Sequence, residues 1–213
     1  MRWLGFAVLW VFLLAARAGA EGERAGEFDY WVLSLSWSPN WCALEGDARD
    51  SRQCDDGRGL GWVVHGLWPQ YERGWPSYCP TAARPPSRAQ TGAMADIMGA
   101  GGAAWYQWKK HGVCSGLSAE DYFRLVRLAW QRVTRPEVLR RLQAPVRLPA
   151  SVIEDAFLAA NPDLRPDMIT ITCAGSRIQE ARICLTRDLE FRECGADVVR
   201  DCTLERAVLD PVR

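Results

Sequence analysis

Two histidines occur in this chain, His65 and His111, and each lies in a short stretch dense in tryptophan and glycine. His65 belongs to Trp62-Val63-Val64-His65-Gly66-Leu67-Trp68-Pro69-Gln70. His111 belongs to Trp105-Tyr106-Gln107-Trp108-Lys109-Lys110-His111-Gly112-Val113-Cys114. The second stretch holds both lysines of the chain, Lys109 and Lys110, against 24 arginines (26 basic residues less these two). Two imidazoles are the minimum for paired acid–base chemistry near neutral pH, one taking a proton while the other gives one. An ammonium is a compact, mobile point charge and a guanidinium a planar fork. A chain that uses arginine elsewhere but lysine beside a histidine points to a need for that ammonium.

On a helix, residues three and four apart share a face. Gln107, Lys110 and His111 therefore project to one side, with Cys114 one step beyond, while Lys109 is read as a solvated charge. This brings an amide, an ammonium and an imidazole within reach of one ligand. His65, at the end of a strand, can face them across a cleft. Such a set suits phosphoryl transfer: one histidine removes a proton from an attacking hydroxyl, the other protonates the departing oxygen, and the ammonium offsets charge on the phosphoryl oxygens. The chemistry asks for no metal and no other cofactor. With the 2′-hydroxyl of RNA as nucleophile no activated water is needed for the first step, and DNA, lacking that hydroxyl, is no substrate.

Blander readings exist for each residue. A histidine beside Gly-Leu-Trp-Pro serves as readily as a hydrogen-bonded core residue; the pair together, one beside Lys110, favours a site. Trp62, Trp105 and Trp108 read as core. Trp68, just after His65, is a candidate platform for a stacked base, as are Trp75 and Tyr78.

The elements that must hold these groups are legible in outline. Phe28 to Trp37 alternates aromatic and β-branched residues and reads as a central strand ended by Ser38-Pro39-Asn40. Residues 42–60 read as a cross-linked loop. Trp62 to Leu67 is a second strand presenting His65, and Gln70 to Thr91 an ordered loop. Helices are predicted over Ala103 to His111 with Gly112 ending it, over Ala119 to Val133 capped by Ser118, and over Ser151 to Ala160 stopped by Asn161-Pro162. Strands follow at Met168 to Cys173, Arg177 to Leu185 and Leu189 to Cys194. Blocks without regular βαβ alternation indicate an α+β fold: a central antiparallel β-sheet with helices packed on it, in one disulfide-stabilised domain.

Residues 1–20 read as a signal peptide, with Arg2, an apolar run from Leu4 to Ala16, and Ala18-Gly19-Ala20 as cleavage pattern. The run is shorter than the roughly 18 apolar residues a spanning helix needs, so no membrane anchor is expected and residues 21–213 form the domain. All eight cysteines, Cys42, Cys54, Cys79, Cys114, Cys173, Cys184, Cys194 and Cys202, fall in that domain. An even count in an exported chain reads as four disulfides, with about 105 pairings open. No C-x-x-C or H-x(3–5)-H pair suggests zinc. Loss of Arg2 and Arg17 with the signal leaves 24 basic against 26 acidic residues, which excludes holding a polyanion by bulk charge.

At its two histidine motifs the sequence closely resembles the ribonuclease T2 family. The motifs are His65-Gly66-Leu67-Trp68-Pro69 and Trp108-Lys109-Lys110-His111-Gly112-Val113-Cys114. Phe28-Asp29-Tyr30, Leu35-Ser36-Trp37-Ser38-Pro39, Trp75-Pro76-Ser77-Tyr78-Cys79 and Asp155 to Pro162 extend the resemblance over nearly the whole domain. It implies a secreted or periplasmic, metal-independent endoribonuclease acting as a monomer on single-stranded RNA, with little base specificity. His111 would be the general base toward the 2′-hydroxyl, His65 the general acid, and Lys110 the stabiliser of the transition state. The product would be a 2′,3′-cyclic phosphate, then a 3′-phosphate. The implied disulfides are Cys42–Cys54, Cys79–Cys114, Cys173–Cys202 and Cys184–Cys194. Two positions depart from the family: Gln107 stands where a glutamate is usual, and Tyr106 where some relatives carry a phosphate-binding histidine. A scaffold of this kind with weakened catalysis, serving as an RNA-binding or interaction module, is the alternative that Gln107 supports. The arginine- and alanine-rich composition leans toward a bacterial source.

Overall fold

The structure, a computed structural model, describes residues 23–213, so the signal segment expected over residues 1–20 lies outside the described residues. Six strands form one sheet: β1 (Tyr30–Trp37), β2 (Trp62–Gln70), β3 (Val146–Leu148), β4 (Ile169–Ala174), β5 (Arg177–Leu185) and β6 (Ala207–Leu209). Their order is β2-β1-β5-β6-β3, with β4 paired to β5 off that path. Every pairing is antiparallel except β5 with β6, which meet in parallel at Arg177 and Val208. The sheet is therefore mixed rather than wholly antiparallel, because the C-terminal segment returns along β5. The helices are α1 (Ser38–Trp41), α2 (Arg88–Ala93), α3 (Ala95–Met98), α4 (Gly101–Lys110), α5 (Ala119–Arg132) and α6 (Ala150–Ala160).

Strand β1 is buried along its whole length because β2 and β5 flank it. Its alternation divides two faces. Trp31, Leu33, Leu35 and Trp37 enter the main core, while Tyr30 and Val32 join Cys184, Cys194 and Val198 in a smaller cluster on the other face. Helix α5 starts where Ser118 accepts the Asp121 N–H and buries Tyr122, Phe123, Val126 and Ala129. The Tyr122 hydroxyl donates to the Leu67 carbonyl at 2.9 Å, fixing the helix to β2. Helix α6 seats Phe157 edge-on to Trp62, centroids 5.2 Å apart.

The four disulfides are Cys42–Cys54, Cys79–Cys114, Cys173–Cys202 and Cys184–Cys194, the pairing that the resemblance implies. Cys79–Cys114 ties the loop after β2 to the turn after α4.

Three expectations are corrected. Leu189 to Cys194 is not a strand. The chain reverses there, with Leu189 at φ 66° and its N–H on the Thr186 carbonyl at 3.0 Å, and only the Leu185–Phe191 bridge pairs. The short Cys184–Cys194 link keeps this segment folded back. Trp105 is not core: it stays 45% exposed on the outer side of α4, under the Lys109 ammonium 5.5 Å away. The stretch from Gln70 to Thr91 is loop only as far as Ser87, which caps α2 through a reciprocal pair with Gln90. Among the described residues no helix is long and apolar enough to cross a membrane.

Candidate active site

A one-residue irregularity in β2 positions His65. Ser34 of β1 pairs with Gly66 and Leu35 with Val64, which leaves His65 without a partner, a β-bulge. In a regular strand, residues three apart point to opposite faces. The extra residue lets Val64 and Leu67 both enter the core while His65 and Trp68 emerge together on the other side, their rings 5.3 Å apart and edge to face.

Strand β5 repeats the device. Thr172 of β4 pairs with Glu180 and Cys173 with Ile178, so Gln179 is the bulged residue. Ile178, Ala181 and Ile183 stay in the core, and Glu180 and Arg182 turn to the face that carries His65. Between β2 and β5 lies β1, whose Ser36 sits opposite Glu180 and whose Ser34 sits opposite Arg182. Two strand spacings are roughly 10 Å. Above these two small residues the side chains meet: His65 Nδ1 lies 2.5 Å from Glu180 Oε1.

The second half of the site comes from α4. Ala104, Gln107 and Trp108 are its buried residues, with Trp108 packed on Tyr122 at 5.6 Å. His111 closes the helix, its N–H on the Gln107 carbonyl at 2.9 Å. The Trp68 indole N–H donates to Gln107 Oε1 at 2.8 Å, and the indole lies 5.3 Å from the His111 ring. Trp68 thus contacts both histidine rings. Because an indole nitrogen only donates, the oxygen of Gln107 must face it, and the amide NH2 remains as the donor end.

His65, His111, Lys110 and Gln107 line one cavity of about 470 Å³, with Trp68, Trp75 and Tyr106. Tyr78 does not line it; its backbone N–H donates to the Lys110 carbonyl at 2.8 Å behind the site. A second cavity of about 490 Å³ shares the wall made by His65, Tyr106, Gln107 and Glu180. Glu180 and Arg182 were not foreseen. The available signal was a lone acid within the strand predicted over Arg177 to Leu185, since a charge is rarely buried unless it is paired.

The two histidines occupy different electrostatic settings. His111 is buried, and burial first, then the charges of Lys110 and His65, push its pKa down from the ordinary 6.5 to about 3. It is neutral at neutral pH, and its Nδ1 has no hydrogen-bond partner within the protein. His65 keeps a side-chain exposure of 44%. For Glu180, burial favours the neutral acid. The hydrogen bond and charge of His65, together with Arg182, outweigh it and hold the carboxyl at about 2. Its other oxygen accepts from Arg182 Nε at 2.8 Å. An ionised carboxylate can only accept, so His65 Nδ1 carries the hydrogen and Nε2 is the nitrogen left to react. Among the described residues, the cluster with metal-ligand spacing, Cys42, Asp47 and Cys54, has both sulfurs in a disulfide and offers no thiolate.

Gly66 is needed for this packing. A Cβ there would overlap the Trp68 indole nitrogen and the Gln107 amide oxygen. Gly66→Ala should break their hydrogen bond and displace both histidines' neighbour, costing about 1–3 kcal/mol. A parent-like melting temperature in this variant would contradict the packing.

Comparison with known proteins agrees with this architecture. A bacterial "Ribonuclease" from Aeromonas hydrophila is 47% identical over 106 residues, 50% of this chain and 46% of that protein. The chain spans about half the length of the curated relatives it matches, a "Probable ribonuclease" from Haemophilus influenzae (47% of its length) among them. The solved structure of an RNase-related protein from Calystegia sepium superposes with a TM-score of 0.65 at 19% identity, covering 87% of this chain and 98% of that one. The structure titled RNase NT in complex with 5′-AMP superposes with a TM-score of 0.56 at 18% identity, over 88% and 100% of the two chains. The sequence model of the Ribonuclease T2 family matches residues 28–194, and with both histidine motifs inside that span the chain belongs to the ribonuclease T2 family.

Proposed function

We propose that this protein is an exported endoribonuclease that cleaves single-stranded RNA by attack of the 2′-hydroxyl on the adjacent phosphate. The product is a 2′,3′-cyclic phosphate, hydrolysed afterwards to a 3′-phosphate. The observation that carries this reading is the placement of His65 and His111 against one indole, at the wall of a cavity that Lys110 also lines.

Neutral His111 takes the proton of the 2′-hydroxyl. Protonated His65 gives one to the departing 5′-oxygen, and in the second step the roles reverse. Environments that separate the protonation preferences of two like groups assign acid and base between them; burial keeps His111 neutral and the Glu180 carboxylate complements a charged His65. Lys110, and the amide NH2 of Gln107, meet the phosphoryl oxygens. Acid, base and cation are all side chains of the chain itself, which supports a metal-independent reaction. The two cavities flanking the His65–Gln107 wall suit the nucleotides on either side of the scissile bond. Trp75 and Tyr106, 48% and 47% exposed, offer faces on which any base can stack, in keeping with low base specificity. The four disulfides and the leader-like first twenty residues support a secreted or periplasmic protein.

The test is incubation of the oxidised protein with yeast RNA in EDTA, with the products resolved for a 2′,3′-cyclic terminus. Chelator-resistant cleavage through that intermediate is expected. RNA binding without cleavage would favour the interaction module that Gln107 allows.

Gln107 also makes a pH prediction. Protonation of His111 removes the base, so the acid limb of the rate profile should lie near its pKa of about 3. Gln107→Glu keeps an acceptor for Trp68 but sets a negative charge beside His111, which favours the protonated ring. The acid limb should move to higher pH; a superimposable profile would rule this electrostatic account out.

A further inference from the structure

The geometry points to Glu180 as a positioning residue for His65: from β5 its carboxylate holds the hydrogen on Nδ1 and leaves Nε2 as the one nitrogen that exchanges protons with substrate. The inference rests on the nuclease reading above, which gives His65 the donor's part in the first step.

Three separate features of the sheet converge on this contact. The bulge in β2 turns His65 to the face away from the core. The bulge at Gln179 turns Glu180 to the same face while Ile178 and Ala181 remain in the core. The strand between them carries Ser34 and Ser36, small enough to be bridged. A buried carboxylate is unfavourable unless paired and fully hydrogen-bonded, and Glu180 is engaged at both oxygens, by His65 and by Arg182. A purely structural ion pair needs Arg182 alone, two residues along the same strand. It needs neither the bulge in β2 nor a half-exposed imidazole. Arg182 itself lies 5.5 Å over the Trp68 ring, so Glu180 links the acid to the indole that both imidazoles contact.

The proton accounting is simple. As the 5′-oxygen leaves, the Nε2–H bond breaks, its electron pair stays on the ring and the proton goes to that oxygen. The ring becomes neutral with Nδ1–H still on Glu180, ready to take a proton from water at Nε2 in the second step. Without the carboxylate, the neutral ring can place its hydrogen on either nitrogen, and the Nε2–H form cannot accept.

The other titratable or charged groups facing this pair are Tyr106, Lys110 and His111 from α4 and its end, Asp197 and Arg200 from the C-terminal segment, and Glu45 and Arg49 across the second cavity. None of them lies within hydrogen-bond distance of Glu180.

Glu180→Gln preserves size and an acceptor while removing the charge. It should lower kcat about 10-fold or more and leave KM within about twofold. In a His65→Ala background it should cost nothing further, because it acts through that ring. A residue that only stabilises the fold would lower the melting temperature and add its loss to that of His65→Ala. With two histidines in the chain, ring-nitrogen NMR of the parent reads each tautomer without any variant or any turnover. One ring held as Nδ1–H is expected, and a Glu180→Gln sample that folds should lose that preference. Both rings as Nε2–H in the parent would overturn the positioning role. Absence of RNA cleavage alongside an Nδ1–H ring would instead strike at the nuclease reading and leave the contact standing.

Discussion

Alanine at His111 should lower kcat/KM on RNA by about 10³-fold or more, and alanine at His65 by a comparable factor. Each imidazole contributes about 10²–10⁴-fold as a general acid or base. The two serve one proton relay, so the double variant should be little worse than either single one. The expected phenotypes differ in detail. His111 is buried against Trp68, and its removal leaves a gap beside the cleft wall as well as a missing base. His65 is half exposed, and its removal strands the buried Glu180 with Arg182 as its one remaining partner. His65→Ala should therefore carry the larger loss of stability of the two. Cleavage assays in EDTA beside thermal melts separate these effects. Retention of more than about a tenth of parent activity in either variant would be incompatible with paired acid–base catalysis.

The second large effect concerns stability. Asn40 is fully buried in α1, and its amide joins the backbone of β5, of β6 and of the residue just after β6. Nδ2 donates to the Ile178 carbonyl at 2.7 Å and to the Val208 carbonyl at 2.9 Å, and Oδ1 accepts the Asp210 N–H at 2.9 Å. Ile178 and Val208 lie where β5 and β6 make their single parallel pairing, too short a contact to hold the C-terminal strand by itself. Asn40→Ala strands two buried carbonyls and one half-buried N–H, at about 1–3 kcal/mol for each buried group. A loss of about 4 kcal/mol is expected, or roughly 10 °C in melting temperature for a domain of this size. Asn40→Asp, which keeps the acceptor and loses both donors, should be nearly as harmful. A melting temperature within about 2 °C of the parent's in the alanine variant would show that β6 is held by other means.

Much of the molecule is legible in the chain because its signals are local. The alternation of Tyr30 to Trp37 is uninterrupted, and Ser118 and Asn161 mark helix ends by side chains that bond nearby backbone. Gln107, Lys110 and His111 share a face because helical spacing alone decides it. What escaped depends on distant partners. Strands of three residues, β3 and β6, carry no periodicity and exist through their partner strands. Phe191 and Leu189 imitate alternation, but the chain reverses between them and β5. The bulges are invisible as pattern, since one unpaired residue can only be recognised against the neighbouring strand. That is why His65 was placed at a strand end rather than at the kink within one. It is also why Glu180, 115 residues from His65, went unnoticed. Trp105 misled for the opposite reason: its composition says core, yet Ala104 and Trp108 already fill the buried side of α4.

The Cys79–Cys114 bond spans 35 residues and joins the far bank of the cleft to the turn that carries His111. Closing a loop of that length is worth about 3–4 kcal/mol in the oxidised chain, and thiols surrounded by a reducing cytosol do not close it. For a protein that works as proposed, competence thus arrives with oxidation. On that proposal the reduced chain lacks this tether, and the oxidised chain holds the turn after His111 to the loop after β2.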